Sequence, residues 1–178
     1  RLVHEVFDEF RGNVVGLVIY EVMADGTPGA MYNSAYARSL AHPAFGVVAS
    51  ARDMMRFLRH FAPCGPRVHA EATVRAMIVD QAGGVRGSHV SVSGLSPHAP
   101  VPWGLGWMLQ TATAPAVFCD LASHRTFGHG GASGCWAFVD PETNVAVVLL
   151  THTHLRTGRD AWAARLKSIS NAAYAEAA

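Results

Sequence analysis

The chain has 178 residues, half of them hydrophobic and only 15% charged. That gives ample apolar material for a core and rules out a disordered, collagen-like or polar-linker chain. A formal charge of +1 offers no drive toward nucleic acid or an acidic membrane surface, and no apolar run reaches the roughly 18 to 20 residues that cross a bilayer.

The length suits one domain or most of one. Arg1 stands where a Met would begin a chain, and no signal-peptide series follows it. The sequence therefore reads as lacking an upstream portion. Leu2, Val3, Val6, Phe7 and Phe10 have helical spacing, and Val14 to Tyr20 is a short β-branched run. Asp25 to Gly29 is a turn cluster. Ser50 precedes Ala51, Met54, Met55, Leu58 and Phe61, which fall on one helical face. Its hydroxyl can cap that helix, with Asp53 near the positive end. Pro63 to Pro66 ends it. A second helix is predicted from about His69 to Val79, with Val74, Met77 and Ile78 inward.

Gln81 to Pro102 is rich in Gly, Ser, Pro and His and reads as a long loop, the kind that carries function. Trp103, Leu105, Trp107 and Leu109 alternate with Gly104, Gly106 and Met108, which is strand period. Cys135 to Val139 and Val145 to Leu150 read as an antiparallel pair joined by Asp140 to Asn144. The second is apolar throughout, so both its faces should be buried. Trp162, Leu166, Ile169 and Ala173 mark a terminal helix. Helices, then sequential antiparallel strands, then a helix make an α+β fold, an antiparallel sheet flanked by helices. The three cysteines, Cys64, Cys119 and Cys135, form no CxxC pair, and their odd count favours free thiols.

The segment with chemical promise is Phe127-Gly128-His129-Gly130-Gly131-Ala132-Ser133-Gly134, leading into a strand. Glycines are entropically costly there. They mark the close approach of a backbone or a ligand. A bare strand edge can offer N–H groups to a substrate carbonyl, one way to build half an oxyanion hole. His129 beside it can donate a hydrogen bond or carry charge near neutrality. The competing reading is a tight glycine turn with an incidental histidine.

Phe127 to Leu150 resembles the carboxy-terminal signature of the β-lactamase-related serine hydrolases, which include class C-type β-lactamases, penicillin-binding-protein-like peptidases and related esterases. His129-Gly130-Gly131 matches the His-x-Gly form of the family's third box. Two strands with an Asp-Pro turn and a final helix follow it. Phe45 to Met54 resembles the family's run into a capped helix, and Trp103-Gly104-Leu105-Gly106-Trp107 the strand before the third box. The resemblance covers roughly Tyr32 to Ala173 and implies a partial serine β-lactamase-like (transpeptidase-like) fold. It also implies hydrolysis of an ester or amide (a β-lactam, peptide or ester) through an acyl-enzyme. By position, His129 would orient or polarise the substrate and the Ala132 N–H would stabilise the oxyanion. Gly130, Gly131 and Ser133 would contact the substrate. No cofactor is implied.

The family's nucleophile is a serine three residues before a lysine. Lys167 is the only lysine here, and Ala164 stands three residues before it. Tyr32-Asn33 is not the family's Tyr-x-Asn. All 178 residues are therefore expected to be the carboxy-terminal part of a larger domain, inactive alone. The expected partners are a small ester or amide substrate and a complementary amino-terminal segment, a second chain or another copy. A non-catalytic relative that keeps the pocket for binding is the alternative. Two rivals rank lower. An α/β-hydrolase with a His-Gly-Gly loop needs a Gly-x-Ser-x-Gly elbow downstream, and none follows. A zinc site would draw on His152 and His154 with His124 or His129.

Overall fold

The computed structural model describes residues 34–40, 49–63, 65–91, 94–131, 134–151 and 159–177. The readings made for 2–29, for Cys64 and for His152 and His154 lie outside them.

Four helices and six strands are described: α1 (Ala35–Ser39), α2 (Ala51–Arg59), α3 (Glu71–Met77), β1 (Arg86–Ser91), β2 (Gly94–Pro100), β3 (Met108–Leu109), β4 (Phe127–Gly130), β5 (Trp136–Asp140), β6 (Val145–Leu149) and α4 (Arg159–Ala177). β1 and β2 form an antiparallel ribbon of their own. The other four make one antiparallel sheet in the order β3-β4-β5-β6.

The period of two along β5 and β6 sorts side chains onto two separate layers. Trp136, Phe138, Val145 and Val147 face one way, into a core with Val117, Phe118, Leu166 and Tyr174. Val139 faces the other way, into a core with Leu58, Phe61, Trp107, Leu109 and Phe127, while Ala137, Ala146 and Val148 pack against it. α4 covers the first face and α2 the second. This double cover is why β6 is apolar at every position. Each fully buried Phe of these layers stabilises the fold by roughly 1.5–3 kcal/mol.

α2 begins as its sequence indicates. Ser50 Oγ accepts from the Asp53 N–H at 3.1 Å, and the Asp53 carboxylate takes the Ser50 N–H and hydroxyl in return. This reciprocal cap ties off two otherwise unpaired donors. The Ser50 hydroxyl is the main reason the Asp53 carboxyl lies below its usual range. The last turn tightens, with the His60 N–H bonding to Phe57 O. Leu58 and Phe61 are then aimed at the sheet.

Three expectations are corrected. The predicted loop from Gln81 to Pro102 contains the β1–β2 ribbon, with Arg86 opposite Pro100 and Ser91 opposite Gly94. Its strands are polar and carry Pro97 and Pro100. A two-stranded ribbon tolerates them, because both of its strands are edges. Trp103 to Trp107 is not a strand but a tight reversal. Trp103 bridges to Met108 and the Gly104 N–H donates to Trp107 O. Gly106 sits at φ 82°, where a side chain would be strained. In α4 Leu166 and Ala173 face the core as their spacing indicates, with Ser170 and Tyr174 beside them, while Ile169 is exposed and the side chain of Trp162 lies outside the described residues. Steps of four residues track the sheet, and Ile169 falls one position off that line.

Candidate active site

β4 and β5 form a hairpin whose tip is the glycine-rich segment. The Gly134 N–H donates to Gly131 O at 3.0 Å, and the Gly131 N–H donates to Cys135 O at 2.9 Å. Gly134 lies at φ 79°. These are the closing bonds of a short hairpin loop that ends on a left-handed glycine. Gly131 is thereby committed within the hairpin, and its N–H is not available to a substrate.

The Gly131–Cys135 bond also sets the direction of the neighbouring amides. Successive residues of an antiparallel strand point their N–H and C=O groups to opposite sides. Gly131 faces β5, so Gly130 directs its N–H and C=O away from β5, to the outer edge of β4. β3 pairs only with Phe127 and Gly128. Along His129 and Gly130, no strand pairs with that edge among the described residues. His129 is exposed there and Gly130 and Gly131 are half-buried, so the described residues leave this edge open.

Gly130 is bare for an internal reason. A Cβ there would run into Cζ3 and Cε3 of Trp136, the residue opposite it on β5. The indole occupies the space a side chain would need, on the α4 side of the sheet. What Gly130 leaves at the edge is its backbone, not a hollow.

His129 points to the other side, the one covered by α2, since Phe127 and Ala137 of that layer flank it in the ladder. Its imidazole meets the Trp103 indole edge-on, with ring centroids 5.3 Å apart and planes at 73°. Trp103 is itself tied down at both backbone groups. Its N–H donates to Asp80 Oδ1 at 3.3 Å, and its carbonyl accepts the Gln81 N–H at 2.7 Å.

The far end of the hairpin is anchored by a buried carboxylate. Asp140 accepts from the Ser123 N–H at 2.8 Å, the Ser123 hydroxyl at 2.7 Å, the Glu142 N–H at 3.0 Å and the Tyr174 hydroxyl at 3.0 Å. Burial opposes its charge. The donors, led by the Ser123 N–H and hydroxyl, outweigh burial and hold the carboxyl at about 2. Burial, and then the Asp140 charge, push the Tyr174 phenol well above its usual range. This network joins the β5–β6 turn, the segment before β4 and α4. Nearby, Lys167 pairs with Asp120 at 2.8 Å, which together with Asn171 keeps that carboxyl below its usual range. The sole lysine, on α4, is thus bound to the surface carboxylate of Asp120 in the segment before β4.

Of the residues singled out from sequence, His129 and Gly130 sit together at the open edge, and Gly131 closes the loop behind them. Ala132 and Ser133 lie outside the described residues. In the sequence Trp103 stands out only as part of an alternating run. Its place against His129 comes from the reversal at Gly106, which no periodic pattern signals. Cys119 and Cys135 are free thiols, and burial raises the Cys119 thiol. Among the described residues no cluster of three His, Cys, Asp or Glu side chains could hold a metal. No described helix is long and apolar enough to cross a membrane.

The chain was compared with known proteins. The Beta-lactamase family model matches residues 17–169. A protein of Escherichia coli O157:H7 described as "Putative D-alanyl-D-alanine carboxypeptidase" is 39% identical over 51 residues, which is 28% of this chain and 12% of that protein. The crystal structure of a beta-lactamase from Mycobacterium bovis superposes with a TM-score of 0.63 at 28% identity, covering 75% of this chain and 46% of that one. The chain thus spans less than half of either relative. With most of its length matched by one family model and its sheet and helices superposing on a solved member, the chain belongs to the beta-lactamase family.

Proposed function

We propose that this chain forms the third-box wall of a serine hydrolase site that acts on an ester or amide carbonyl through an acyl-enzyme. The observation that carries the reading is the outer edge of β4 at His129 and Gly130, which no described strand pairs with, and which holds an exposed imidazole beside an outward backbone N–H. A carbonyl laid along that edge would meet His129 as orienting donor. Ala132 is the proposed oxyanion donor, through its backbone N–H. Ser133 is a proposed substrate contact, and Gly131 serves by holding the loop. β-Lactams, peptides and simple esters share the carbonyl this edge would take. The beta-lactamase and carboxypeptidase relatives support that class.

The acyl-enzyme requires a serine oxygen to attack the carbonyl carbon, with a base to take its proton. No serine of these 178 residues stands three before a lysine. The nucleophile is therefore assigned to a complementary segment or a different chain, and the chain alone is assigned no turnover. The same absence favours a second reading, a β-lactamase-like domain that binds without catalysis.

Amide-resolved NMR of this chain, titrated with benzylpenicillin and with a D-alanyl-D-alanine dipeptide, tests the proposal. Shifts confined to residues 128–135 and Trp103 are the expected result. Movement elsewhere, or none, overturns it. A fluorescent penicillin should leave no covalent label on the chain. A labelled serine would refute the assignment of the nucleophile to another segment.

A further inference from the structure

We propose that Trp103 is the positioning residue for His129: its backbone is tied to the Asp80–Gln81 segment, and its indole holds the imidazole in one orientation at the outer edge of β4. The consequence for binding rests on the functional reading above; the ring pairing does not.

Three observations carry this. First, the rings meet at 5.3 Å and 73°, inside the range in which perpendicular aromatic pairs attract. An exposed imidazole at a strand end otherwise samples several rotamers. Second, Trp103 belongs to neither core layer, unlike Trp107 and Trp136. It is half-buried, so core packing does not account for it. Third, the backbone around it is held with unusual care for a surface reversal. Asp80 Oδ1 takes both the Trp103 and the Ala82 N–H groups, Gln81 donates to Trp103 O, and the Leu105 N–H reaches Met77 O at 2.9 Å. Gly104 lies so close to Met77 O that a Cβ there would collide with it. These ties bring the end of α3 and the start of β3 together at Trp103. The backbone that carries the indole is thus fixed, and the imidazole is the ring the indole meets.

The test uses the full chain with Trp103→Ala and Trp103→Phe. In the wild type, the His129 ring protons should be displaced by the indole ring current and cross-relax with indole protons. Trp103→Ala should abolish both signs and weaken benzylpenicillin binding about 2- to 12-fold, the fold equivalent of one aromatic pair. Trp103→Phe should keep the ring contact and most of the binding. His129→Gln provides the reverse view, since it should shift the Trp103 indole N–H even where Trp103→Ala does not fold. Unchanged His129 ring signals in folded Trp103→Ala, or an unmoved indole signal in His129→Gln, overturns the proposal. Intact ring coupling in a wild type that binds no penicillin upholds the pairing and removes only the functional reading.

Discussion

Replacing Gly130 with alanine asks what the bare position is for. The added methyl would overlap the Trp136 ring atoms Cζ3 and Cε3. The indole has no room to retreat. Trp136 is buried, its ring meets Phe118 edge-on at 5.8 Å, and Phe118 stacks on Phe138 at 4.8 Å. Overpacking of this kind costs about 1–3 kcal/mol. Alanine recovers about 0.5–1 kcal/mol of that by lowering the chain entropy lost on folding. The net loss is then about 1–2 kcal/mol, a fall in Tm of about 2–8 °C for a chain of this size. Thermal unfolding followed by circular dichroism reads it directly. A double-mutant cycle with Trp136→Leu isolates the cause. In that background Gly130→Ala should cost little, giving a coupling of about 1 kcal/mol or more. If Gly130→Ala is as stable as the wild type, or costs the same without the indole, the packing argument fails. A variant that folds normally but no longer binds benzylpenicillin would mean the glycine is there for the ligand.

Two further perturbations test the frame around the site. Asp140→Asn keeps the shape but leaves one accepting oxygen for several donors and should cost about 3 kcal/mol in urea unfolding. Because the Asp140 carboxyl is held at about 2 against an ordinary 3.8, its stabilisation of roughly 2 kcal/mol is complete above the higher value and lost as pH falls toward the lower. The wild type should therefore weaken between pH 4 and pH 2 more steeply than Asp140→Asn; equal acid limbs would contradict this. Ser50→Ala removes the reciprocal cap of α2 and should cost about 1 kcal/mol. Hydrogen exchange of the α2 amides reads that loss, as a roughly fivefold acceleration confined to the helix.

The elements legible in the sequence are those whose local and global signals agree. α2 has a cap, a carboxylate three residues on and a regular apolar face. β5 and β6 have apolar runs around an Asp-Pro turn, and the structure adds only that two layers divide their side chains. The β1–β2 ribbon was illegible because its strands are polar and proline-bearing, and their order comes from pairing with each other. Trp103 to Trp107 misled in the opposite direction. Its alternation is real, but Gly106 turns the chain before a strand can form. The site was half legible. His129 stood out by its glycine neighbours, whereas Trp103 reaches it through a hydrogen-bonded reversal that depends on Asp80, far back in the chain. The glycines had two explanations in sequence, room for a ligand and room for protein. At Gly130 the structure supplies the protein occupant.

Consecutive residues of β4 answer to different halves of the molecule. His129 is seated in the layer under α2, and Gly130 in the layer under α4. A change in the α4 layer would act on the strand first at Gly130, through Trp136, whereas a change at the Trp103 reversal would act first on the imidazole. The reach of the hairpin tip and the aim of its imidazole thus depend on different neighbours, Trp136 and Trp103, neither of which lies on β4.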